Sequence, residues 1–166
     1  MGSHGEDGRP NAQICVSVFG ASIVPDRPRL LVGLSNTNHT TGLVRTAGTL
    51  AITVLAEGQV GLLEPLGLHS GRDADKLTGL EFQLTAAGDP FFPAGAGVIE
   101  CAVLEPFSLG DSTLFLCSIR ERRVLEPATP LSWAAARAVV GDGFLRRWAE
   151  KSAREQAEAR QAMLWR

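Results

Sequence analysis

No apolar run in the 166 residues approaches the roughly 18 that a membrane-spanning helix needs. The opening MGSHGEDGRP also lacks the apolar stretch of a secretory signal. The chain reads as soluble and cytoplasmic. Cysteine is scarce: Cys15, Cys101 and Cys117 lie singly in apolar segments without a CxxC spacing, a pattern that fits reduced packing residues better than disulfides or a metal centre. An excess of positive charge is missing too. Sixteen Lys and Arg against eighteen Asp and Glu give a formal charge of -2, and no basic block is interleaved with aromatics, so nucleic acid is excluded as a partner. There is no GxGxxG after a strand, no GxxxxGKS/T loop and no GxSxG elbow, which sets aside doubly wound nucleotide folds and α/β-hydrolases.

What is present suffices for one well-packed domain, with 45% hydrophobic side chains. Alternating and continuous apolar runs predict strands over Ile14–Phe19, Arg29–Leu34, Thr49–Leu55, Val98–Leu104 and Thr113–Leu125. Short helices are predicted over Thr40–Thr46, Val60–Leu66, Ala74–Leu77 and Leu131–Val140. Short strands predominate and no long βαβ crossover recurs, which predicts an antiparallel barrel or sandwich with small inserted helices. After Gly143 the chain has no Gly or Pro and is rich in good helix formers, predicting a terminal helix. Its stripe of Phe144, Trp148, Ala149, Ala153, Ala157 and Leu164 would lie on the domain or on a second subunit.

The densest polar signal is SNTNHTTG, which follows the apolar run ending at Leu34. A helix starting near Thr40 would set its free backbone N–H groups and positive dipole end beside this loop, forming an anion site. Ser35, Asn36, Asn38, Thr40 and Thr41 offer hydroxyls and amides, and Arg45 offers charge one turn on. Plain N-capping is the competing reading, but a cap needs only one such residue. A second polar cluster, HSGRDADK, spans His69 to Lys76. It is either a capped surface turn or, if folded against the first loop, a source of Arg72 and Lys76 for an anion.

In order along the chain come NAQICVSVFGASIVPDRPRLLVGLSNTNHTTGLVRTAGTLAITVLAEGQ, SGRDADKLTGLEF, GDPFFPAGAGVIECAV, LGDSTLFLCSI and PLSW. Together, over roughly Gly8 to Trp133, they resemble the flavin reductase-like domain, the FMN-binding split barrel. The resemblance implies a mainly β, antiparallel, Greek-key-type split β-barrel over residues 1–141, with short inserted helices. A C-terminal helix over 142–166 would pack on that domain or on a dimer partner. It also implies a homodimer with FMN near the interface. Ser17, Val18, Phe19 and Ser22 would then lie along the isoalloxazine ring, and Asn36, Asn38, His39, Thr40 and Thr41 would take the ribityl phosphate. Arg72 and Lys76 would stand near the flavin. On that basis Thr40→Ala with Thr41→Ala is expected to weaken FMN binding with little loss of stability.

The implied activity is hydride transfer from NAD(P)H to flavin with no side chain acting as acid or nucleophile; a redox protein or monooxygenase would receive the electrons. Many active members carry Gly-Asp-His where this chain has Gly110-Asp111-Ser112. That difference favours the alternative, a flavoredoxin-like carrier that does not turn over NAD(P)H; a split barrel holding a different cofactor is a third reading. The family's first strand has little room here, because only Met1–Glu6 precede the DGRPNA turn.

Overall fold

The computed structural model describes residues 1–163; Leu164 of the expected stripe lies outside them. Two short strands, β1 (Gly2–His4) and β2 (Pro10–Ala12), precede β3 (Val18–Gly20) and β4 (Arg29–Ser35). Helix α1 (His39–Ala47) leads into β5 (Thr49–Val54), a 3₁₀ turn over Glu57–Leu62 and α2 (Leu63–Leu68). Then come β6 (Gln83–Leu84), β7 (Pro90–Phe91), β8 (Gly97–Ser108), β9 (Ser112–Val124), α3 (Trp133–Val139) and α4 (Gly141–Ala162). The architecture is a mainly β antiparallel sheet with several helices. Its seven strands run in the order β2-β1-β5-β8-β9-β4-β3, with β6 and β7 pairing separately. This order is open: among the described residues, β2 and β3 are its two ends.

The central strands are apolar where they cross the core. Val32, Leu34, Leu50, Ile52, Phe115 and Cys117 are buried together against Val44 of α1. Burial pushes the Cys101 thiol up to about 12 and the Cys117 thiol up to about 11, as expected of packing residues in apolar surroundings. Gly48 ends α1 in the left-handed region at φ 68°, where a residue without Cβ is unstrained. The chain can therefore enter β5 at once.

Two sequence expectations are corrected, and the terminal stripe packs on its own domain only at its start. Only Val18–Phe19 of the expected strand Ile14–Phe19 belongs to β3. The Gln13 N–H donates to the Met1 carbonyl at 2.8 Å and the Ile14 N–H to the Leu66 carbonyl at 3.3 Å, so the stretch touches α2 at Ile14, turns Cys15 toward the main core and meets β4 only from Ser17 on. Ala74–Leu77 is a turn and not a helix, because Asp75 Oδ1 takes the Leu77 N–H at 2.9 Å. That local bond offers the backbone an alternative to helix. Finally, Phe144 of α4 is buried and Trp148 half-buried, but Ala149, Ala153 and Ala157 are exposed. The face turned inward carries Lys151, Ser152 and Glu155 instead.

Helix α4 is seated on α2. Trp148 stacks at 5.4 Å from Trp133 and 5.7 Å from Phe144, and Arg147 pairs with Glu64 at 2.9 Å. Beneath the indole lies Gly67, where an added Cβ would stand 2.5 Å from Trp148 Cζ3. Gly67→Ala is therefore expected to lift Trp148 and destabilise the fold by about 1–3 kcal/mol. A lowered Tm together with a changed near-ultraviolet tryptophan signal would register it; an unchanged pair would remove the argument for this seat.

Candidate functional site

Strand β4 runs antiparallel to β9, from Arg29 opposite Ser118 to Ser35 opposite Ser112. The polar loop therefore leaves the sheet beside the β8–β9 turn and is tied to it. The Asn36 N–H donates to the Asp111 carbonyl at 2.8 Å, and Asn36 Nδ2 to the Gly110 carbonyl at 2.9 Å. Asn36 Oδ1 accepts from the Thr113 hydroxyl at 2.7 Å, and that hydroxyl in turn accepts from Arg45 at 2.8 Å. Ser35 Oγ bonds Thr37 Oγ1, and the Thr41 hydroxyl donates to the Ser35 carbonyl. Ser35, Asn36, Thr41 and Arg45 are thus engaged in the loop's own structure. Asn36, Thr41 and Arg45 border a hollow of about 650 Å³ on that side.

The other side of the loop faces a cavity of about 530 Å³, within the range of roughly 300–1,000 Å³ usual for small-molecule sites. Thr37, Asn38, His39 and Thr40 line it. Asn38 stands at the N-cap of α1, yet its side chain makes no cap hydrogen bond. The N–H groups of His39 and Thr40, in the helix's first turn, have no acceptor among the described residues. The polar excess is therefore not consumed by capping, and the positive end of α1 opens into the cavity.

The HSGRDADK turn does fold against this loop. Arg72 Nη1 donates to the Thr37 carbonyl at 2.7 Å. Gly71 fits between the two segments, since a Cβ there would lie 2.6 Å from Asn11 Oδ1 and 3.0 Å from the His39 ring. Lys76 reaches the same cavity with only 9% of its surface exposed. Among the described residues it takes part in no ion pair or hydrogen bond. Desolvation, and secondly the charge of Lys151, lower its pKa from 10.5 to about 8. Burial, with Arg72 and Lys76 nearby, also lowers the His39 pKa, so that imidazole is neutral at pH 7. A buried ammonium facing unpaired amides fits an anion.

Residues 1–140 match the model of the flavin reductase like domain. The chain belongs to this family. It is 30% identical over 128 residues to the actinorhodin polyketide dimerase of Streptomyces coelicolor, covering 77% of this chain and 70% of that one. It is 27% identical over 128 residues to the high molecular weight rubredoxin of Moorella thermoacetica, covering 76% of this chain but only 55% of that relative's length. Among solved structures, an FMN-binding protein from Thermus thermophilus with bound p-hydroxybenzaldehyde superposes with a TM-score of 0.67 at 29% identity. That match covers 74% of this chain and 68% of the other.

The residues that the flavin reductase resemblance puts beside the ring stand apart from both hollows. Ser17, Val18, Phe19 and Ser22 lie on or next to edge strand β3, and none of them lines either space. The Gly33 N–H donates to the Ser17 carbonyl, and the Ala21 N–H to the Arg29 carbonyl, both at 2.9 Å. By antiparallel alternation, the amides of Val18 and Gly20 then point to the free edge. Ser22 is engaged locally with Val24. Sequence reading missed Gln13, Trp148 and Lys151 as cavity residues; an apolar run and an alanine-weighted helix gave no local signal for them.

The expectation that the threonine hydroxyls could be removed harmlessly is also corrected. Thr40 and Thr41 are 1% and 2% exposed, and Thr40 Oγ1 accepts from Asn11 Nδ2 at 2.7 Å. Thr40→Ala with Thr41→Ala is expected to cost about 1–3 kcal/mol of stability, read from denaturant midpoints, because buried partners lose their bonds. Lys76 acts in the opposite sense. Its folded pKa lies below its unfolded one, so the unfolded chain holds more protons between pH 8 and 10.5, and stability rises across that window. Lys76→Met is therefore expected to stabilise the ligand-free protein at pH 7 by about 1–3 kcal/mol, allowing for residual solvent contact. Chemical denaturation at pH 7 and pH 10.5 should find the gain at the first and not at the second.

Proposed function

We propose that this chain is an FMN-binding oxidoreductase that takes hydride from NAD(P)H, acting as a homodimer on a split-barrel domain over residues 1–141, with the 142–166 segment laid against it. The observation that carries this reading is the buried Lys76, without a polar partner among the described residues, facing the open N-terminus of α1 across one cavity. A phosphate monoester carries close to two negative charges and three strong acceptors at pH 7, which matches those donors. Two relatives support the ligand class: the FMN-binding protein of Thermus thermophilus and, at 25% identity over 118 residues, a flavin reductase of Pseudomonas putida.

Bound flavin would supply the two-electron chemistry, accepting hydride from a reduced nicotinamide. The chain's own residues hold and orient. Lys76 and the amides of His39 and Thr40 would take the phosphate, with Asn38 and the neutral His39 beside them. Arg72, clamped to the Thr37 carbonyl, fixes the two halves of this cradle together. The free amides of Val18 and Gly20 would donate to the polar edge of a ring and favour its reduced, anionic form. Phe19 at 56% exposure and Ile23 at 99% leave that edge uncovered, which supports a second copy of the chain closing over it.

A carrier that passes electrons to a redox protein or monooxygenase, without turning over NAD(P)H, is the second reading. Ser112 favours it: its hydroxyl donates to Asp111 at 2.9 Å, and the turn offers no imidazole to a nicotinamide. Anaerobic titration separates the two. Quenching of FMN fluorescence and a dimeric mass are expected in either case, and bleaching by NADH or NADPH only in the first. Affinity for FMN is expected to fall as pH rises past about 8, where free Lys76 loses its proton. A protein that cannot be loaded with FMN would sink both readings.

A further inference from the structure

The family match ends at residue 140 and α4 begins at Gly141, yet α4 builds the outer wall of the cavity. Trp148, Lys151 and Ser152 face it, across from Thr37–Thr40. This placement is fixed by packing: the indole lies on Gly67, Phe144 is buried with Leu63 and Ala136, and Arg147 pairs with Glu64. Two cations are so delivered, the exposed Arg154 and the half-buried Lys151. The only ion-pair partner of Lys151 among the described residues is Glu155, one turn along the same helix. Lys151 and Lys76 line the same cavity, and the Lys151 charge helps to depress the Lys76 ammonium; two like charges converging on one hollow repel unless an anion lies between them.

We propose that α4 completes the anion site: Lys151 joins Lys76 in clamping the phosphate monoester of a flavin nucleotide, so recognition of the phosphate depends on a helix beyond the matched domain. This rests on the flavin-binding reading above and adds a binding residue to it. Arg154, Glu155 and Glu158 of the same helix also border the cavity, as do His69 and Asp73 opposite. Among these the Lys151–Glu155 pair holds the ammonium in place in the free protein. An incoming phosphate competes with Glu155 for it.

The test compares FMN with riboflavin, which has the same ring and ribityl chain but no phosphate, by fluorescence titration of the full chain at pH 7. Lys151→Met is expected to weaken FMN at least tenfold while leaving riboflavin within twofold, and Lys151→Arg to restore most of the loss. Glu155→Gln, which frees Lys151, is expected to hold or raise FMN affinity. FMN affinity within twofold of the unaltered chain in Lys151→Met would overturn the proposal. So would equal losses for FMN and riboflavin, which would mark a packing role for the stem. An unaltered chain that binds neither flavin would instead overturn the flavin-binding reading itself.

Discussion

Lys76 is buried in a wall of the cavity, and among the described residues no carboxylate pairs with it. Burying such a charge is costly, and the elements around it are arranged so that the cost persists. Leu77 packs with Ala12, Leu66 and Phe92, which pins the neighbouring Lys76 backbone in place. Gly71 brings the same turn up against Asn11 and His39, and Arg72 ties it to Thr37. A site that is under tension when empty and relieved by an anion is the usual signature of binding energy traded against stability.

The polar loop works because its side chains divide. Asn36 and Arg45 bond the β8–β9 turn and the start of β9, and Thr41 bonds back to Ser35, while Thr37, His39 and Thr40 line the other side and Asn38 borders both hollows. Seven consecutive small polar residues thus serve two surfaces at once. The engaged half supplies rigidity, and the free half presents amides whose positions are set by that rigidity. Preorganised donors of this kind bind an anion without further ordering cost.

How much of this was legible in the sequence follows from how local each signal is. Strands β4, β5, β8 and β9 were read from apolar runs because each crosses the core and carries its own pattern. β1 and β2 were not, since three residues apiece give no periodicity. The Ile14–Ser17 run misled because an apolar connector that crosses from α2 to the main core looks like a strand in one dimension. Asp75 turned a helix candidate into a turn through one side-chain bond. In the site, the loop and the SGRDADK turn were both visible as polar clusters. Their meeting was not, because it depends on Arg72 reaching a backbone carbonyl 35 residues away. Lys151 was invisible for the same reason: its role is conferred by where Trp148 seats the helix.

The β8–β9 turn shows how the same loop bears on electron donors. Its Gly110 and Asp111 carbonyls accept from Asn36, so the turn that carries Ser112 and the loop that faces the cavity move as one unit. Gly110 sits at φ 91° with Met163 Cε 2.7 Å from where its Cβ would be, so the end of α4 presses on this turn as well. A donor docking beside Ser112 would therefore meet a surface whose position is set jointly by the polar loop and by α4. Replacing the serine would alter what that surface offers without altering where it stands. On the proposed reading, the difference between reductase and carrier would then belong to the chemistry of residue 112, and flavin retention to the cradle that both readings share.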